Sequence, residues 1–198
     1  MLRIAALLTA LAGPAFATQE YILPTLFDVT GVAADDVLNI RAQPNAGAEI
    51  IGTLAPDATK IEVVEETKGW GRVNSGEASG WVSMAYLAYR VDVWEDGELP
   101  DGFRCYGTEP FWGLERQAGQ LLLSRPDMED DTRPIQAVMG TGVFRDPMRA
   151  ILAEGMTVTS TRAICSDGMS NRLFGLEAHV ILQDDEPMML SGCCSIQP

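Results

Sequence analysis

The chain contains a single histidine, His179, and no cysteine before residue 105. One imidazole leaves too few nitrogen ligands for a zinc site, and we predict neither a metal nor a cofactor. The sequence also lacks the Gly-x-Ser-x-Gly motif of serine hydrolases, so the single imidazole has no recognisable nucleophile to activate. We therefore predict that the protein is not an enzyme. The 28 acidic residues nevertheless leave open a hydrolase whose site no motif reveals.

Basic residues are scarce as well. The chain has 14 lysines and arginines against 28 aspartates and glutamates, and its formal net charge is −14. An acidic protein repels phosphate backbones and anionic headgroups, which excludes nucleic acids and anionic membrane surfaces as expected partners. The acidic clusters at residues 127–131 and 184–186 are typical of solvated turns.

Long apolar runs are absent except at the N-terminus. Arg3 precedes an apolar stretch at residues 4–12, and the small residues of Ala15-Phe16-Ala17 follow it. This pattern predicts a secretory signal peptide at residues 1–17, because the stretch is too short to span a bilayer. We expect the mature chain to be periplasmic or secreted and to carry no membrane anchor.

The four cysteines, Cys105, Cys165, Cys193 and Cys194, all lie in the second half of the chain. An even number of cysteines in an exported protein predicts two disulfide bonds. A bond between the neighbours Cys193 and Cys194 would close a strained ring, and successive strand residues point to opposite faces. We predict that one of these neighbours joins Cys105 and that the other joins Cys165. Which neighbour takes which partner stays open.

Short β-branched apolar runs, interrupted by 19 glycines and 11 prolines, predict an all-β protein. Residues 91–102 are acidic and contain glycine and proline, so we predict a linker there, between a first domain at residues 18–90 and a second at residues 103–198. The second domain is expected to be an antiparallel β-barrel or sandwich stapled by disulfides. Predicted strands cover residues 27–32, 37–41, 49–54, 60–66, 70–73, 80–83, 111–117, 120–125, 135–141, 156–164, 173–182 and 187–194, with a single helical turn at 84–87 and a helix-compatible stretch at 147–154.

Three segments of the first domain carry a family resemblance. They are Leu38-Asn39-Ile40-Arg41 with Pro44, Gly69-Trp70-Gly71-Arg72-Val73, and Gly80-Trp81-Val82. Together they resemble the bacterial SH3-like (SH3b) domain over about residues 30–90. The resemblance implies a small SH3-like barrel in an exported protein that binds cell-wall peptides or other peptides. It also implies a groove formed by Asn39, Arg41, Trp70, Trp81 and Tyr86. Trp81 equally fits a core position, whereas Trp70 lies between two glycines and is the better contact candidate.

A second resemblance spans residues 101–198. The segments Cys105 to Trp112, Cys165 to Ser170, and Gly192-Cys193-Cys194 resemble a family of small bacterial envelope domains of unassigned function. If the disulfides bring these segments together, Glu109, Asp167 and Ser170 form a second candidate site. Such a cluster would bind a small ligand or block the active site of an enzyme. Asp167-Gly168 equally fits a tight turn.

These observations predict a non-enzymatic binding protein of the cell envelope, whose partner is a cell-wall peptide or an envelope protein. The alternative is an inhibitor or regulator of wall-cleaving hydrolases that acts through the second domain. A third reading is the hydrolase with an unrecognised site.

Overall fold

The N-terminal module consists of two small antiparallel sheets. The computed structural model describes residues 21–198, so the predicted signal peptide lies outside the described residues. A three-stranded sheet has the order β4-β1-β8, and a five-stranded sheet has the order β3-β2-β7-β6-β5. The strands are β1 (Thr25–Val29), β2 (Leu38–Arg41), β3 (Ile50–Leu54), β4 (Ile61–Val63), β5 (Glu65–Thr67), β6 (Trp70–Ser75), β7 (Ala78–Ser83) and β8 (Leu87–Tyr89), with a 3₁₀ turn at Met84–Tyr86.

The core of this module lies between the two sheets and includes Phe27, Ile40, Val63 and Val82, each at most 1% exposed. The strand predicted at residues 60–66 is divided at Val64, whose backbone N–H donates to the carbonyl of Arg72. This break lets β4 pair with β1 while β5 pairs with β6. The predicted helical turn is confirmed.

The second half forms a closed eight-stranded barrel. Its order is β10-β11-β12-β13-β14-β15-β16-β9, and every neighbouring pair is antiparallel. The all-β prediction is therefore confirmed, and the barrel replaces the sandwich alternative. The strands are β9 (Arg104–Thr108), β10 (Phe111–Gln117), β11 (Gln120–Ser124), β12 (Asp131–Met139), β13 (Arg149–Ala153), β14 (Met156–Cys165), β15 (Phe174–Leu182) and β16 (Met188–Ser195).

Two elements of the barrel differ from the sequence prediction. The helix-compatible stretch at residues 147–154 is wrong, because it contains strand β13, whose alternate residues Arg149, Ile151 and Ala153 are buried. Strand β9 was not predicted. It closes the barrel by pairing with both β10 and β16. Its sequence, Arg-Cys-Tyr-Gly-Thr, contains no apolar run that would mark it as a strand, so its two partner strands determine its conformation.

The disulfides follow the alternation of strand β16. Cys194 lies directly opposite Cys105 of β9 in the barrel register, and the two form one bond with both residues fully buried. Cys193 points to the other face and bonds to Cys165 at the end of β14. The prediction that the neighbours have different partners is confirmed, and the pairing is Cys105–Cys194 with Cys165–Cys193.

Residues 91–102, predicted as a linker, contain no strand and pack into the barrel core. Val93, Trp94 and Leu99 are buried in the same apolar cluster as the barrel interior, and Leu26 of β1 joins that cluster from the N-terminal module. The indole N–H of Trp94 donates to the carbonyl of Pro24 at 2.8 Å. The two modules therefore share one core at this point.

A second contact joins the β6–β7 hairpin to the loop between β14 and β15. The side-chain amide of Asn74 donates to the carbonyl of Leu173 at 2.9 Å and accepts from its N–H at 3.0 Å. Asn171 adds a hydrogen bond from its N–H to the carbonyl of Glu77 at 2.9 Å. One loop of the barrel is thus fixed to the tip of a hairpin in the N-terminal module.

A buried carboxyl group lies at the same interface. Glu62 of β4 is 3% exposed, and the hydroxyl of Ser195 on β16 donates to its Oε2 at 2.5 Å. Burial raises the pKa of Glu62, although hydrogen bonds from the Ser195 hydroxyl and from the N–H groups of Ile196 and Gln197, and then the charge of Arg104, act in the opposite direction. The junction between the modules therefore favours the neutral form of this side chain.

Candidate functional site

A cavity of about 540 Å³ opens on the N-terminal module, and we call it the groove. Strand β2 and the loop before it form one side, and the first residue of β6, the last residue of β7 and the 3₁₀ turn form the other. Its polar and aromatic lining consists of Asp36, Asn39, Arg41, Trp70, Ser83 and Tyr86.

Strand β2 presents its residues to the groove by simple alternation. Leu38 and Ile40 are 6% and 1% exposed and pack into the core of the module. Asn39 and Arg41 are half-buried and line the groove from the opposite face of the strand. A guanidinium N–H of Arg41 donates to the carbonyl of Ala48 at 2.7 Å, which holds the side chain against the following loop.

Two turns position the aromatic side chains. Lys68 and Gly69 have φ values of 49° and 77° and form the tight connection that ends at Trp70. The N–H of Met84 donates to the carbonyl of Gly69 at 2.9 Å, which ties the 3₁₀ turn to that connection. The turn carries Tyr86, whose side chain is exposed. Trp70 and Tyr86 therefore line one cavity although 16 positions separate them in the chain.

Of the five groove residues implied by the SH3-like resemblance, Asn39, Arg41, Trp70 and Tyr86 line the groove. Trp81 does not: it is 6% exposed, and the guanidinium of Arg72 lies 4.6 Å from the centre of its ring. Trp81 serves the packing of the module instead.

The sequence prediction missed Asp36, which also lines the groove. Asp36 lies in a turn, where its N–H donates to the carbonyl of Ala33, so no strand periodicity marks it. The only available signal was its place just before the Leu38-Asn39-Ile40-Arg41 segment.

The second candidate site lies on the barrel, in a cavity of about 250 Å³ beside the Cys165–Cys193 bond. Glu109 and Asp167 line this cavity, whereas Ser170 does not and instead donates its hydroxyl hydrogen to the Asp167 carboxylate. Partial desolvation raises the pKa of Asp167, but hydrogen bonds from the N–H groups of Ser170 and Met169 outweigh it and hold the pKa below its ordinary value. Asp167 and Ser170 thus form a structured turn at the rim of the cavity.

The three segments that carry the second resemblance meet around this cavity. Thr108 donates from its hydroxyl to the carbonyl of Asp167 at 3.0 Å, and the indole N–H of Trp112 donates to the carbonyl of Ser191 at 3.2 Å. A side chain on Gly107 would collide with Trp112, so the indole packs directly on the backbone there. A neighbouring apolar cavity of about 430 Å³ is bordered by the exposed Phe111 and Met169.

Fold and groove together define an SH3-like module that is joined to a closed antiparallel barrel. Residues 36–88 match the family of the bacterial SH3 domain. The matched segment runs from Asp36 past Tyr86, so it contains the charged, amide and aromatic residues of the groove, and it ends before the barrel. No curated protein and no solved structure gives a significant match to the chain. The resemblance of residues 101–198 to an envelope family stays a prediction.

Among residues 21–198, no helix is long and apolar enough to cross a membrane.

Proposed function

We propose that this protein is a non-enzymatic binding protein of the bacterial cell envelope, and that its groove recognises a peptide of the cell wall. One observation carries the proposal. Asn39, Arg41, Trp70 and Tyr86 come from three separate parts of the chain and line one cavity within the segment that matches the bacterial SH3 domain.

The chemistry of the groove suits a peptide ligand. Trp70 and Tyr86 offer rigid apolar area that loses little side-chain freedom on binding. Asn39 can donate to and accept from a peptide group, because its amide makes no hydrogen bond within the described part of the chain. Arg41 can pair with a carboxylate through the guanidinium hydrogens that it does not donate to Ala48.

The same residues support a binding role over catalysis. The groove lining contains neither histidine nor cysteine, so Ser83 has no imidazole beside it. His179 belongs to strand β15 of the barrel, opposite Thr159 and Ser191. The two disulfides are typical of a protein that folds in an oxidising compartment, which supports a periplasmic or secreted location.

Cosedimentation with insoluble peptidoglycan tests the proposal. The chain without residues 1–17 is mixed with purified wall, and bound protein is measured in the pellet over a range of wall concentrations. We expect Trp70→Ala to weaken binding at least tenfold, the usual effect of removing a central aromatic anchor. Phe111→Ala is the matched control, because Phe111 is an exposed aromatic residue outside the groove. The proposal fails if the unmodified protein stays in the supernatant, or if both variants lose binding equally.

A second candidate function rests on the barrel. Phe111 and Met169 are 52% and 69% exposed beside an apolar cavity that adjoins the one where the three segments meet, and this surface would suit an inhibitor of wall-cleaving hydrolases. The test is inhibition of lysozyme-type hydrolases. Phe111→Ala should abolish inhibition, whereas Trp70→Ala should leave it intact. Full hydrolase activity at high micromolar protein would exclude this function.

A further inference from the structure

The loop between β12 and β13, residues 140–148, holds two large apolar side chains in solvent. Val143 is 59% exposed and Phe144 is 78% exposed, the highest value for any large apolar side chain in residues 21–198. Val91, on the segment that follows β8, is 54% exposed and lines the same cavity as these two residues. Exposed apolar side chains that are grouped at one place mark an interaction surface, whereas single ones do not.

Hydrogen bonds within the β12–β13 loop hold these side chains out. The Thr141 hydroxyl donates to Oδ2 of Asp146 at 2.5 Å, and the N–H of Asp146 donates to the carbonyl of Val143 at 3.2 Å. The N–H of Met148 donates to Oδ1 of Asp146 at 3.2 Å. Asp146 is only 7% exposed, so the loop is built around a buried side chain. A partner that binds Val143 and Phe144 would therefore meet a loop that is already ordered.

A cavity of about 450 Å³ lies beside the exposed side chains, and we call it the loop cavity. The segment after β8 and the β12–β13 loop both line it, and Val91 and Trp94 supply apolar area. Arg149, which is 6% exposed, fixes the two segments to each other. Its guanidinium donates to the carbonyl of Glu95 at 3.1 Å and to the carbonyl of Asp146 at 2.5 Å. The loop cavity is therefore preformed, and it has room for an aromatic side chain.

The loop cavity carries charges of both signs. Glu95 and Asp96 line it, both are exposed, and neither forms an ion pair with any residue between 21 and 198. Arg145 lines it as well, and its guanidinium carbon lies 4.6 Å from the centre of the Phe144 ring and 5.4 Å from that of the Tyr89 ring. The cation therefore lies next to the protruding ring, whereas the two carboxyl groups belong to the other segment that lines the cavity.

This surface is complementary to itself. It offers a protruding aromatic ring and a cavity beside that ring, together with a cation and two carboxyl groups. In a twofold dimer both copies use the same surface, so a protruding group of one copy can meet the cavity of the other. A second copy supplies both halves of this pattern by symmetry, whereas an unrelated partner would have to match each half separately.

We propose that this surface is the interface of a homodimer, in which Phe144 of each copy enters the loop cavity of the other and Arg145 lies beside Glu95 and Asp96 of the partner copy. The two rings account for about 300–500 Å² of buried surface. An interface of this small size is typical of a weak dimer, so we expect a dissociation constant in the micromolar range. The dimer carries two grooves, and its formation does not depend on what the groove binds.

Sedimentation equilibrium over a wide range of protein concentration tests the dimer. The chain without residues 1–17 is used in about 0.15 M salt, because the formal net charge of −14 makes copies repel at low ionic strength. The mass should rise with concentration from that of one chain to that of two. Phe144→Ser should raise the dissociation constant at least tenfold. Phe111→Ser is the matched control, because Phe111 is an exposed aromatic residue that does not line the loop cavity.

Exchanging the charges separates a direct contact from a disturbed fold. Arg145→Glu places acid against acid across the interface, and the double variant Glu95→Lys with Asp96→Lys places base against base. Each should raise the dissociation constant of its own dimer at least tenfold, because like charges then meet. An equimolar mixture of the two should recover the dimer, since every charged contact in a mixed pair joins opposite signs. Thermal unfolding of each variant checks that it is folded.

The inference is overturned if the unmodified protein keeps the mass of one chain up to millimolar concentration, or if Phe144→Ser and Phe111→Ser associate alike. It is also overturned if the mixture associates no better than either charge variant alone. A mass that rises beyond two chains would overturn it as well, because it would show open head-to-tail association in place of a twofold pair.

The proposed function is judged separately by cosedimentation with insoluble wall. A protein that stays monomeric and still binds wall through Trp70 would refute the dimer alone. A dimer that stays in the supernatant would refute wall binding alone.

Discussion

Replacing Glu62 by glutamine tests whether the buried carboxylate at the junction of the two modules destabilises the folded protein. The Glu62 side chain is 3% exposed, and a glutamine oxygen can still accept the hydrogen bond from Ser195. Burying a carboxylate costs several kcal/mol, and the hydrogen bonds from Ser195 and from the N–H groups of Ile196 and Gln197, together with the charge of Arg104, offset this cost only in part, because the pKa of Glu62 stays raised. We therefore expect the Glu62→Gln variant to be more stable than the unmodified protein by about 1–3 kcal/mol at neutral pH.

The pH dependence gives the sharper test. An unfolded glutamate titrates near pH 4.3, and burial raises the pKa of Glu62 in the folded protein. The folded state therefore binds a proton more tightly than the unfolded state. The contribution of Glu62 to stability is complete below about pH 4.3 and is lost as the pH rises through the raised pKa.

The measurement is the free energy of unfolding in urea at several pH values between 4 and 8. The stability difference between Glu62→Gln and the unmodified protein should grow with pH and then level off. Glu49→Gln, at an exposed position, should show no such growth. The reasoning is refuted if this stability difference stays constant between pH 4 and pH 8. It is also refuted if the difference is smaller at pH 7 than at pH 4.

Two further perturbations address the barrel and its attachment. Replacing Cys105 and Cys194 by alanine opens a loop of 89 residues and should lower the free energy of unfolding by about 4.6 kcal/mol. Replacing Cys165 and Cys193 opens a loop of 28 residues and should lower it by about 3.6 kcal/mol. Guanidinium unfolding curves that rank the two double variants in the opposite order would contradict this. Asn74→Ala removes two hydrogen bonds to the backbone of one barrel residue and should lower the unfolding free energy by about 1–2 kcal/mol, with faster amide exchange in the loop between β14 and β15.

Local sequence patterns were sufficient to predict which face of a strand a residue occupies, because its neighbours along the chain determine that face. Alternation in β2 separates Leu38 and Ile40 in the core from Asn39 and Arg41 in the groove, and alternation in β16 separates the two neighbouring cysteines. These features depend only on the two-residue period of a strand. They could therefore be predicted without knowledge of the partner strands.

Features that depend on distant partners could not be predicted from local patterns, and only the SH3-like resemblance brought Asn39, Arg41, Trp70 and Tyr86 together in advance. Arg149 is buried within β13 because its guanidinium donates to the carbonyls of Glu95 and Glu98, about 50 positions earlier in the chain. Nothing near Arg149 in the sequence indicates those acceptors, so the local pattern alone predicts a helix-compatible stretch at residues 147–154. The place of Asp36 in the groove is equally non-local, since it depends on how the loop before β2 lies against the 3₁₀ turn.

The core shared by Leu26 and Trp94 has a consequence for how such modules are exchanged between proteins. SH3-like domains are readily pictured as cassettes that move with a flexible tether at each end. Here a cut before Trp94 would break the hydrogen bond from its indole to the Pro24 carbonyl. It would also expose apolar side chains that are now buried on both fragments. The smallest unit that could be transferred would have to include the chain up to Leu99. Its new host would have to provide an apolar surface against which Trp94 and Leu99 could pack. The boundary that matters for recombination therefore lies inside the barrel's own interior.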